Sequence, residues 1–150
     1  MIQRIQSLYL LLAALVQVLF ATGTYFTYQA LDISFSVTGS GIFNSEGEKT
    51  GGDMKTLILG IGISVLAVIC IFLYKNRKQQ IKLCRVGGLL TLAEIVFIVI
   101  SYFNTKEIAE SELSFGYVVF ILPISTLFFF LAAKAVKKDD ELIRSVDRIR

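Results

Sequence analysis

The stretch "YVVFILPISTLFFFLAAKAVKKDDELIRSVDRIR", Tyr117 to Arg150, decides the fold. From Tyr117 to Ala133 it holds no charged residue, and from Lys134 onward more than half of its residues are charged. No glycine or proline linker separates the two parts. That abrupt change is the mark of a helix leaving a bilayer, since crossing the hydrocarbon takes about 20 apolar residues of helix. Phe115–Val136 is long enough, and so are Ile5–Phe26, Thr56–Tyr74 and Leu83–Phe103. A helix of a soluble bundle would show a charged face at every turn or so. The second and fourth stretches carry no charge before their last turns. The expected fold class is therefore an all-α membrane protein, a four-helix transmembrane bundle forming one domain over residues 1–150.

Composition agrees. The chain is 55% hydrophobic, against about 45–50% in an ordinary soluble domain. The first stretch also has the outline of a signal peptide, with Arg4, an apolar run from Leu8 to Phe20 and small residues at Ala21–Gly23. Its apolar run starts at Ile5 and is interrupted by Gln17, which favours a retained helix over a cleaved leader.

Basic residues set the orientation. Twelve lie at the N-terminus, in the 75–85 connection and in the tail; three (Lys49, Lys55 and Lys106) lie in the other two loops. This bias predicts both termini and the 75–85 hairpin on the cytoplasmic side of a bacterial inner membrane. The acids Asp32, Glu46, Glu48, Asp53, Glu107, Glu110 and Glu112 then face outward. Cys70 and Cys84 fall near the cytoplasmic helix ends, where thiols stay reduced. No Cys-x-x-Cys faces outward, which excludes a quinone-linked disulfide enzyme, and the paired cysteines and tryptophan of four-helix junction proteins are missing.

The long loop from Thr27 to Lys55 contains "LDISFSV", in which Leu31, Ile33, Phe35 and Val37 alternate with polar residues. Period two predicts a half-buried strand. Gly39-Ser40-Gly41 offers a turn and "IFN" a returning strand, so a small hairpin on the outer helix ends is expected. The loop "NTKEIAESELSFG" is expected to be a mobile acidic turn. In the tail, Leu142, Val146 and Ile149 share one helical face, and Asp140 precedes Arg144 by four residues, a spacing that supports a helix. A cytoplasmic amphipathic helix continuing the fourth span follows.

Three segments, "MIQRIQSLYLLLAA", "FLYKNRKQQIKLCR" and "LAAKAVKKDDELIRSVDRIR", resemble a family of small Bacteroidota membrane proteins known only as a domain of unknown function. The resemblance runs end to end. It implies a four-helix inner-membrane protein and transfers no catalytic residue, cofactor or metal ligand.

The residues themselves offer no catalytic constellation: there is no histidine, no Gly-rich phosphate loop and no Ser–base pair. One residue stands out. Glu94 falls near the middle of the third span, where an ionised carboxylate costs roughly 2.5–3.5 kcal/mol on insertion scales. Counted from the cytoplasmic face at about 1.5 Å per residue, Glu94 and Gln17 both lie about 16–18 Å deep. Ser64, and Ser125 or Thr126, reach a similar level. Gly87, Thr91, Glu94 and Ser101 form a stripe on helix three, and Gly60 with Ser64, and Ala14, Gln17 and Ala21, form small or polar stripes elsewhere. Small residues let helices approach and polar ones bond across them. The first expectation is a protonated Glu94 bonded to Gln17 as a structural crosslink. The alternative is a small proton-coupled transporter using Glu94, although small drug exporters carry their acid on the first helix.

The tail mixes Asp139, Asp140, Glu141 and Asp147 among its bases. Acids are not needed for topology and weaken attraction to anionic lipid. The tail and basic hairpin, through Lys75, Arg77, Lys78, Leu142, Arg144, Val146, Arg148 and Ile149, are therefore expected to dock a membrane or cytoplasmic protein. That makes the chain a non-enzymatic accessory subunit, with no cofactor and no specific nucleic acid; a homo-oligomer is compatible.

Overall fold

The computed structural model describes residues 3–30, 33–52, 54–107 and 113–147, the side chains of Gln3, Arg4, Arg144, Val146 and Asp147 excepted. Leu31, Asp32, Asp53, Glu110, Glu112, Arg148, Ile149 and Arg150 lie outside the described residues. The chain runs α1 (Gln3–Thr22), β1 (Thr24–Ala30), β2 (Ile33–Thr38), β3 (Gly41–Asn44), β4 (Lys49–Gly51), α2 (Lys55–Phe72), a 3-10 turn (Leu73–Lys75), α3 (Arg77–Lys106), β5 (Ser114–Phe115) and α4 (Tyr117–Asp147).

All four helices are long and apolar enough to cross a membrane. Helix α1 packs on α2 and α4, and α3 packs on the same two, so α1 and α3 face each other across the bundle centre. The outward surface is apolar: Leu8, Leu15, Ile61, Val65, Leu92, Val96, Phe120 and Leu127 are all exposed. A continuous apolar exterior of this kind suits hydrocarbon rather than water.

The interior has three levels. Near one end Leu10, Ala13, Ile63, Ala67, Cys70, Cys84, Phe129 and Ala132 form one buried cluster. At the other end Phe20, Tyr25, Phe26, Ile98, Val118 and Leu122 form a second. Between them, along every helix, sit the buried polar residues Gln17, Ser64, Thr91, Glu94, Ser125 and Thr126. Close helix approach depends on glycine: a Cβ on Gly87 would run into the Phe129 ring, and one on Gly60 would sit 2.9 Å from the Ala21 Cβ.

The first helix is shorter than the sequence reading over Ile5–Phe26. It stops at Thr22, and Thr24–Ala30 becomes a strand. Thr24, Tyr25, Phe26, Thr27 and Tyr28 are β-branched or aromatic residues that fit a half-buried pleated surface better than a helix. Helix α3 begins at Arg77 rather than Leu83, because the Asn76 Oδ1 accepts the Gln79 N–H at 3.3 Å and caps it. Most of the expected 75–85 hairpin is therefore helix, and the connection itself is Leu73–Asn76. Helix α4 runs on past Val136 to Asp147 without a break.

The expected hairpin is part of a larger sheet. Five antiparallel strands stand in the order β4-β3-β2-β1-β5. Strand β5 comes from the connection between α3 and α4, so the sheet ties the two loops of that end together. A bulge between Thr24 and Phe26 turns both Tyr25 and Phe26 inward. Beside it the Gly116 N–H donates to the Tyr25 carbonyl at 2.8 Å. Here a side chain would collide with the Thr24 carbonyl. Gly116→Ala should therefore destabilise the protein by about 1–3 kcal/mol, as over-packing does. Thermal melting in detergent tests this, and an unchanged melting temperature would contradict the close approach.

Candidate functional site

The interior stripes carry more polar side chains than an apolar bundle tolerates unpaired, and most of them find one another. On α1 the buried positions Gln6, Leu10, Ala13, Ala14, Gln17, Phe20 and Ala21 follow helical spacing. Gln17 is fully buried, and its Nε2 donates to the Glu94 Oε2 at 2.8 Å. This bond crosses the centre from α1 to α3. Around it the Thr91 and Thr126 hydroxyls lie 2.8 Å apart, joining α3 to α4. Ser64 donates to the Ala14 carbonyl at 3.3 Å and Ser125 to the Ala13 carbonyl at 3.4 Å, so α2 and α4 both bond the backbone of α1.

Two further buried bonds lie at the end of the bundle away from the sheet. Gln6 Nε2 donates to the Asp139 Oδ2, linking α1 to α4. Gln80 Nε2 donates to the Cys70 carbonyl at 2.9 Å. That oxygen is one of the last in α2, where helical carbonyls lack an intrahelical partner. Sequence reasoning did not find these two, although the signal was there. Asp139 stands three residues after buried Val136, and Gln80 four before buried Cys84, each continuing the interior stripe.

Asp139 consequently corrects the reading of the tail. It is 6% exposed and bonded inside the bundle, so it is not one of the acids of the exposed tail surface. Asp140 is half-buried, and Lys137 pairs with Glu141 at 3.7 Å on a well-exposed face, where such pairs contribute little. Leu142 and Ile143 are 47% and 41% exposed. Lys75 and Lys78 are exposed and Arg77 is half-buried. For Arg144 and Val146 only the helical backbone is described, and Arg148 and Ile149 lie outside the described residues. Cys70 and Cys84, unconnected in the sequence reading, share the buried cluster near the termini as free thiols.

At the sheet end a cavity of about 260 Å³ lies between β2, β3, α2 and α3. Tyr25, Thr38, Thr56, Ser101 and Asn104 line it, together with Phe97. Tyr25 is 2% exposed, and its hydroxyl has no hydrogen-bond partner among the described residues. Burial holds that phenol well above its ordinary range. The Gln17 Oε1 and Glu94 Oε1 atoms are likewise buried without hydrogen-bond partners among the described residues. Among the described residues no group of three or more metal-ligating side chains occurs.

Glu94→Gln replaces the carboxyl with a carboxamide of the same shape that can both donate and accept, so stability should be retained. Glu94→Leu strands the Gln17 amide, at a cost between about 0.6 kcal/mol, the average for transmembrane hydrogen bonds, and about 1–3 kcal/mol for an unpaired buried polar group. Thermal melting of both variants reads this directly; equal losses would argue against the bond as a crosslink.

No curated protein matches the chain. A family model described as "Domain of unknown function (DUF4293)" matches residues 2–149, nearly the whole bundle with its sheet and its tail, and the chain belongs to that family.

Proposed function

We propose that the protein is a non-enzymatic subunit of a larger membrane assembly, held in a bacterial inner membrane with both termini cytoplasmic. It would dock a protein partner through its tail and the basic connection between α2 and α3. The observation that carries this reading is the continuity of α4. The helix leaves the bundle at Asp139, bonded to Gln6, and continues to Asp147. The eight residues after Asp139 add about 12 Å of helix. They carry exposed Leu142 and Ile143 among charges of both signs. An exposed apolar face with two-signed charge around it fits a specific protein surface better than an anionic membrane.

A second reading uses Glu94 as a proton carrier in a small transporter. It is favoured by the oxygens of Glu94, Gln17 and Tyr25 that have no partner among the described residues and by the cavity that Tyr25 lines. The closeness of Gly60, where a Cβ would stand 3.3 Å from the Glu94 Oε1, favours the structural role instead. Reconstituted protein should show no substrate-dependent proton flux. Flux in the parent that vanishes in Glu94→Gln would select the transporter.

Two measurements test the first reading. Replacing Leu142 and Ile143 with serine should release co-purifying proteins while leaving membrane insertion unchanged. An identical set of co-purifying proteins would refute docking through the tail. On this topology an impermeant maleimide should label Gly47→Cys but not Gln79→Cys in intact cells, with little background because the native thiols are buried; the reverse pattern would invert the topology.

A further inference from the structure

The end of the bundle away from the sheet carries a groove that overlaps the docking surface at Lys78 and at the α4 face bearing Lys137, Asp140 and Glu141. Between α3 and α4 lie two adjoining recesses of about 460 and 370 Å³, and Arg85 and Lys137 line both. The first is walled by Leu89, Phe130 and Ala133, with Lys134 at its rim. The second is lined by Lys78, Ile81 and Lys82, with Asp140 and Glu141 opposite. Gly88 lets Phe130 come close to α3: a Cβ there would stand 3.0 Å from the tip of the Phe130 ring.

Charge is unevenly met in this groove. Five cations line it against two acids. Glu141 pairs with Lys137, and Asp140 has a partner of its own. Lys78, Lys82, Arg85 and Lys134 make no ion pair among the described residues. The apolar floor also continues into the exposed face of the bundle, because Leu89 and Phe130 are both exposed and Leu92, Leu127 and Leu131 extend the same surface. A soluble anion would leave that floor uncovered. A ligand that joins one negative head to an apolar chain satisfies both halves.

We propose that this groove binds one anionic glycerophospholipid. Its phosphate sits between Arg85 and Lys137, the two residues common to both recesses, and an acyl chain lies along Leu89 and Phe130. The headgroup occupies the outer recess, where Asp140 and Glu141 accept hydroxyl donors and disfavour a second phosphate. Basic recesses between membrane helices are suited to lipid headgroups for this reason.

The test is titration of the purified full-length protein in neutral detergent with phosphatidylglycerol, followed by native mass spectrometry of the retained lipid. One phosphatidylglycerol should be held in preference to phosphatidylcholine. Arg85→Gln with Lys137→Gln should weaken binding about 30-fold, from roughly fivefold per basic group at an anionic surface. Lys75→Gln with Lys138→Gln removes the same charge from the same end outside the groove and should leave binding intact. Equal weakening by both pairs would mean diffuse attraction and overturn the site. Equal retention of phosphatidylcholine, or displacement by soluble glycerol phosphate, would overturn the lipid assignment. Leu89→Gln keeps every charge and should weaken phosphatidylglycerol alone. If the Arg85 and Lys137 pair fails to fold, unchanged binding in Leu89→Gln overturns the proposal by itself.

Discussion

A carboxamide on one helix and a carboxyl on the helix across the bundle meet in an otherwise apolar interior. The Gln17–Glu94 bond is 2.8 Å long and fully buried, and much of the remaining interior is arranged around it. Polar groups in such a place are costly when unpaired, so a shift of α1 or α3 by one turn would strand both. Gly60 and Ala21 bring α2 against the same spot, and Ser64 and Ser125 bond α1 just below it. The polar layer thus fixes depth and facing for four helices whose apolar surfaces alone would pack in several registers. Hydrophobic contact between helices gives little drive in lipid, where tails are as apolar as leucine, so packing and bonds of this kind carry the specificity.

The two ends of the bundle are built for different tasks. At one, a sheet assembled from both loops closes over Phe20, Phe26 and Val118, and the Gly116–Tyr25 bond ties it to the start of α4. At the other, Gln6–Asp139 and Gln80–Cys70 close the helix ends internally, and the long basic side chains turn outward around a groove. A partner bound along the exposed end of α4 and a lipid held between α3 and α4 would not compete for Leu142 and Ile143, which do not line the groove. The two proposed sites share Lys78 but not these apolar residues.

The four helices are legible in the sequence because hydropathy over some twenty residues is a strong signal. The level of Gln17 and Glu94 follows from helical rise alone. The sheet is less legible. "LDISFSV" shows the period of a strand, but Thr24–Ala30 directly continues an apolar helix, and only its β-branched and aromatic content distinguishes it. Strand β5 is two residues long and exists through pairing with Phe26 and Thr27, a non-local contact that leaves no local mark. Asp139 reads as exposed because its neighbours are charged, although its phase on α4 continues the buried stripe. For the same reason the charged run after Lys134 reads as wholly exposed until the Gln6 side chain is placed beside it.

The most direct measurement of the central claim is a double-mutant cycle in detergent or bilayer with Gln17→Leu, Glu94→Leu and the two combined, read as unfolding free energy. If the bond fixes the bundle, the coupling between the sites should be of the order of 0.6 kcal/mol and as much as about 1.7, the range of transmembrane hydrogen bonds. The double variant should then be more stable than the sum of the two single losses implies. Strict additivity would mean that Gln17 and Glu94 do not act together, and the polar layer would not be what sets the register of the helices.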